Sequence, residues 1–201
     1  MPDQTPEKIA KTRFAKFFQQ EDWLIFKKVA EINLSEAAYL KKKSFTSVPS
    51  GLRLLARNSR KRLLIGVGVE LLLKAVYLKS GYCINKPTSK DQHTFPFKLA
   101  DVQPSEINIS DTFTLAPLID KLPTITEVIP EREVISRGFR VAKVFRNKEG
   151  HVVTQSHEYE ASEYRAIESA LVSLYKCAFS QNLVVRFAVE KRDRPCWEFT
   201  D

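Results

Sequence analysis

The stretch Leu63–Leu78, LLIGVGVELLLKAVYL, is the longest apolar run in the chain, and its reading decides the fold. It is too short to span a bilayer and carries Glu70 and Lys74 in its middle, so a buried helix is expected. The run closes a longer helical segment, 50–80. Ser50 is placed to cap its start and Gly81 to stop it. A helix that is apolar nearly all round belongs at the centre of a bundle. Gly66 and Gly68 weaken such a helix by about 1 kcal/mol each against alanine. Close approach by neighbouring helices is the expected compensation. Glu70 and Lys74 stand four apart in the favourable order. They read as a structural pair, or as residues lining a cleft.

Helical periodicity continues on both sides of this centre. Residues 7–31 repeat apolar positions three and four apart, including Phe14, Phe17, Phe18, Trp23 and Phe26, and predict one or two amphipathic helices. These aromatics read as core rather than as base-stacking residues. Ser35 is a plausible cap for a further short helix. Residues 82–110 hold Pro87, Pro96 and Pro104 and predict a long loop with one helical turn near PFKLAD. Loops of that length are usually functional or mobile. A short helix is expected at DTFTLAPLIDKL, a longer one over roughly 130–147, and another over about 159–180. In the last, Ile167, Ala170, Leu171, Leu174 and Ala178 share a face. The alternation of LVVRFAVE, with RPCWEFT to pair with it, predicts a small C-terminal hairpin, or an irregular tail packing Trp197. The expected architecture is an all-α, up-and-down bundle with antiparallel neighbours and a long loop after the central helix. It forms a single domain over 1–201, with a core of about 50–180, an N-terminal helical extension at 1–49 and a C-terminal tail or hairpin at 181–201.

With 201 residues, 43% apolar and 28% charged, the chain reads as a soluble globular protein with a sizeable core. Cys83, Cys177 and Cys196 form no CxxC spacing, so a reducing compartment without disulfides is expected. The N-terminal MPDQTPEKIAKTRF is charged and lacks an apolar signal core, so a cytoplasmic location away from the membrane is expected. Net charge is +8 but unevenly placed: +11 over residues 1–100 and −3 over 101–201. A basic half suggests a polyanionic partner such as RNA, although a solvated surface gives the same count.

The candidate chemistry lies in Arg146–His151, RNKEGH. The spacing Arg-x4-His is weak by itself in a chain with 13 arginines. Residues five apart on a continuous helix sit roughly 140° apart around its axis. Gly150 permits a helix end near Glu149, and such an end lets the two side chains converge. A histidine titrates near neutral pH and moves a proton; an arginine grips a phosphate through two parallel hydrogen bonds. Together they suffice for metal-independent cleavage of RNA. His151 would act as base on the ribose 2′-hydroxyl or as acid on the leaving oxygen. Arg146 would stabilise the phosphoryl oxygens, giving a 2′,3′-cyclic phosphate. Asn147 orients either partner or simply ends a helix. Arg53, Arg57, Arg60 and Lys61 form a basic stripe that tracks RNA phosphates or faces solvent. His93 in the long loop and His157 read as a loop and a surface histidine. No metal site and no cofactor are expected, because the three histidines lack clustered carboxylates or cysteines.

RNKEGH resembles the Arg-x4–6-His motif of the HEPN superfamily, including the polar Asn147 after the arginine. GVELLLKAVYLKSGY (68–82) is similar to the central helix of that superfamily, and EYRAIESALVSLY fits its following helix. The resemblance covers about 50–180. It implies a helical bundle that dimerises and brings two Arg/His motifs into one cleft. It implies a ribonuclease acting as a toxin in a toxin–antitoxin or anti-phage defence system, with an antitoxin protein as a further partner. Some members are non-catalytic, so a module binding nucleotide, RNA or protein is the alternative. One toxin group carries a tyrosine two residues after the histidine, where this chain has Val153.

Overall fold

The computed structural model describes residues 5, 6, 9, 23–41, 45–89, 93–125, 131–151, 159–187 and 194–201, with the side chains of 125 and 148–151 excepted. The chain is mostly helical, with helices α1 (Trp23–Tyr39), α2 (Arg53–Lys79), α3 (Leu115–Ile125), α4 (Arg132–His151) and α5 (Ala161–Phe179). Two small antiparallel sheets accompany them: β1 (Asn85–Pro87) with β2 (Ile107–Thr112), and β3 (Asn182–Arg186) with β4 (Cys196–Thr200). No helix among the described residues is long and apolar enough to cross a membrane.

The centre of the core is α2. Ile65, Val69, Leu72, Leu73 and Tyr77 are fully buried, and α1, α4 and α5 pack their apolar faces toward the same cluster. The two glycines are contact points. A Cβ on Gly68 would meet Leu34 Cγ of α1 at 2.6 Å, and one on Gly66 would meet Arg146 Cβ of α4 at 2.6 Å. Gly138 does the same between α4 and α5, where a Cβ would meet the Ala166 carbonyl. The helix ends as the sequence predicts. Gly81 takes φ +76°, Tyr82 N–H donates to the Tyr77 carbonyl and Gly81 N–H to that of Leu78. Its start differs, because Ser50–Leu52 forms a 3-10 turn and Ser50 makes no side-chain cap.

Two further expectations need correction. Ser35 caps nothing: α1 runs through it, because Ala30, Leu34, Ala37 and Ala38 form one continuous buried face against α2. Tertiary burial overrides the local capping signal. The architecture is not purely all-α. Within the expected loop, β2 reaches back to β1, pairing Asn85 with Thr112 and Pro87 with Ile107 across a bulge. The partners lie some twenty residues apart in sequence, so no local turn signal announces the pairing, and Pro87 sits where a two-stranded edge tolerates it. The rest of the loop is anchored: Phe95 stacks on Tyr77 at 5.1 Å and on Phe113 at 4.0 Å. The C-terminal hairpin is present, with five paired residues from Asn182↔Thr200 to Arg186↔Cys196. Leu183 and Val185 alternate inward to the core.

Candidate active site

The helix α2 presents Arg62, Gly66, Glu70 and Lys74 four residues apart, so they follow one another along one side of the helix. Gly66 lets α4 approach with its Arg146 backbone directly over the glycine. One turn further on, Glu70 receives the arginine. Arg146 Nε lies 3.0 Å from Glu70 Oε2. The N–H is not aimed along a hydrogen bond, and among the described residues the buried oxygen has no other partner, so the contact is an ion pair. The second carboxylate oxygen accepts a hydrogen bond from Lys74 Nζ at 2.8 Å, and the same ammonium donates to Thr112 Oγ1 of β2 at 3.0 Å.

Glu70 and Lys74 are 7% and 6% exposed, so one buried carboxylate stands between two cations. Ordinary burial of charge is costly, and pairing offsets it. The excess cation is Arg146, whose side chain is about one-third exposed. Its Nε edge faces Glu70. Among the described residues its two terminal nitrogens have no partner.

The helix does not end near Glu149. It continues through Gly150 to His151. The Cα atoms of Arg146 and His151 therefore lie roughly 140° apart around a continuous helix. The side chain of His151, and all of Val153 and His157, fall outside the described residues. Asn147 is exposed on the neighbouring side of α4.

The stripe on α2 has internal partners. Arg53 donates to the carbonyls of Val48 at 2.9 Å and Thr46 at 3.1 Å, tying down the segment before the helix. Arg57 donates from Nε and Nη2 to Asn58 Oδ1. Arg60 pairs with Glu36 of α1 at 2.7 Å, while its side chain stays 55% exposed. Lys61 is 2% exposed. His93 packs on Phe97 and lies 3.3 Å from Glu106 within its own loop.

Two residues outside the expected catalytic and RNA-binding set adjoin it. Glu70 holds Arg146, and Arg62, 5% exposed, places its guanidinium 5.2 Å over the Tyr159 ring. Tyr159 in turn packs against Phe145, the residue before Arg146. The usable signal was Gly66: a glycine inside a strong helix marks a close approach, and its neighbours four residues away line the same contact. Comparison with protein-family models, with curated proteins and with solved structures finds no match.

Proposed function

We propose that the protein is a metal-independent endoribonuclease of HEPN type in which Arg146 and His151 are the catalytic residues. The observation that carries the reading is the buried Glu70 beneath Arg146. It holds the Nε of the guanidinium while about one-third of the arginine side chain stays exposed, a placement suited to contact with a scissile phosphate. The 2′-hydroxyl attacks phosphorus, the bond to the 5′-oxygen breaks, and a 2′,3′-cyclic phosphate and a 5′-hydroxyl result. One proton leaves the 2′-oxygen and one arrives at the 5′-oxygen. A single histidine cannot do both in one step, so a composite site between two copies supplies one His151 as base and the other as acid. Asn147 orients the phosphate or the imidazole. Arg57 and Arg60 remain exposed enough to exchange their present partners for RNA. The biological setting that fits is a toxin restrained by an antitoxin protein, or an anti-phage defence nuclease.

One observation favours a second reading, a non-catalytic module that binds RNA, nucleotide or protein at the same place. The unbroken helix sets Arg146 and His151 on different sides within one copy. The test uses RNA and its 2′-deoxy counterpart, incubated with chelator and with wild-type, Arg146→Ala or His151→Ala protein. Cleavage of RNA alone, lost in both variants, supports the nuclease. Cleavage of the 2′-deoxy strand, or equal cleavage by His151→Ala, removes it.

A further inference from the structure

A second feature lies on the same helix, away from Glu70. Arg132, Glu133, Ser136, Arg137 and Arg140 line a groove of about 650 Å³ with Pro123 of α3. Arg132, Ser136 and Arg140 recur every four residues and share one face of α4. Three guanidinium groups therefore meet one carboxylate in the lining. Arg132 and Arg137 form no ion pair among the described residues. Arg140 has only a loose, exposed contact with Asp120 at 3.5 Å, with the two side chains 67% and 56% exposed. Ser136 also lines the groove, and its Oγ is buried with no hydrogen-bond partner among the described residues. A buried hydroxyl in that state is costly, and rotation of the Ser136 side chain toward the groove would let it donate to an anion oxygen there.

We propose that this groove binds a backbone phosphate of single-stranded RNA, holding the substrate beside the Arg146/His151 site. The ligand chemistry follows from the lining. Arginines grip a phosphate in planar pairs, and the serine hydroxyl donates to a third oxygen. Lys143 and Asn147 continue the same face of α4 at three and four turns from Arg132. Arg140 lies six residues before Arg146, about 9 Å along the axis. One strand can thus follow the helix from the groove to the cleavage site. The identity of the ligand as RNA rests on the nuclease reading; the anion site rests on the groove alone.

The test separates the two. A fluorescent, uncleavable 2′-O-methyl RNA strand is titrated with wild-type protein, with R137Q/R140Q and with R57Q/R60Q across a range of KCl. All four positions are at least partly exposed, and thermal unfolding checks that the variants keep the fold. For R137Q/R140Q we expect binding about an order of magnitude weaker at 0.1 M salt, and a salt slope shallower by about 1.4, or about 0.7 for each phosphate no longer neutralised. S136A weakens binding several-fold without changing the slope. Unchanged affinity and slope in R137Q/R140Q overturns the proposal, as does absence of binding by the wild type. Cleavage with arginine-independent binding sinks the groove and leaves the nuclease. Arginine-dependent binding by a protein that cleaves no RNA sinks the nuclease and leaves the groove.

Discussion

Glu70 has two obligations, to Lys74 beside it and to Arg146 across the helix contact. Its side chain is 10% exposed and that of Lys74 8%, so the pair is poorly screened by solvent. Removing the carboxylate alone strands a buried ammonium and frees Arg146. E70A is expected to lose about 3–5 kcal/mol of stability, whereas E70M/K74M is expected to lose far less, because no fully buried charge is left unpaired and Arg146, about one-third exposed, can turn to solvent. Denaturant midpoints of the two variants decide this; equal losses would show that the carboxylate's charge is not what matters. Glycine substitutions give a second residue-scale prediction. A Cβ on Gly138 meets a backbone carbonyl at 2.2 Å, one on Gly66 meets Arg146 at 2.6 Å, and one on Gly51 meets nothing. Overpacking costs about 1–3 kcal/mol and helix propensity returns about 1. Unfolding midpoints should therefore fall most for G138A, less for G66A and not at all for G51A. At this scale the sequence was partly legible. Gly66 and Gly68 announced close contacts and Glu70–Lys74 announced a pair. The contact with Arg146 was not legible, because it joins residues 76 positions apart with no local pattern to tie them.

The 93–106 segment shows what an element can do without periodicity. Glu106 Oε2 accepts a hydrogen bond from the Gln103 backbone N–H at 2.8 Å and lies 3.3 Å from His93 Nε2. The Gln103 N–H, and then His93, hold the Glu106 carboxyl below its ordinary value of 4.5. A lowered folded-state value means that the ionised form stabilises the fold. Its contribution is complete above the ordinary value and is lost as pH falls through the lowered one. A carboxyl NMR titration should place the Glu106 midpoint below 4.5; a midpoint at or above it would mean the contacts do not persist in solution. Helices were the legible elements, since α2, α4 and α5 have apolar faces that repeat at helical spacing. The strands β1 and β2 were missed because their pairing is non-local and one strand carries a proline. The cap at Ser35 misled because a local signal competes poorly with a continuous buried face. The end expected at Glu149 failed similarly: Gly150 permits a break, but permission is not a stop.

At the scale of the molecule, a basic first half and a helical core were visible in composition, and a mostly helical chain is what the structure shows. Helical spacing places Arg53, Arg57, Arg60 and Lys61 on a basic stripe that tracks RNA or faces solvent. Folding gives those residues protein partners or burial, with Arg57 and Arg60 still at least partly exposed, and places a second arginine cluster on α4. Composition cannot distinguish a cation that is neutralised inside the fold from one that remains available. Arg146 lies against the buried Glu70 carboxylate, a contact that no charge count announces. If a composite site is needed to bring two histidines to one phosphate, dilution should abolish cleavage in parallel with dissociation of the dimer. Sedimentation and activity measured over the same concentrations check this, and activity that persists in the monomer would refute the composite site. The most direct measurement is the chemistry of the product ends. A mixed RNA pool is cut in the presence of chelator and both new termini are mapped, with His151→Ala alongside. The account predicts 2′,3′-cyclic phosphate and 5′-hydroxyl ends that vanish in the variant. Ends bearing 5′-phosphate and 3′-hydroxyl, or no cleavage by the wild type at any sequence, would contradict it.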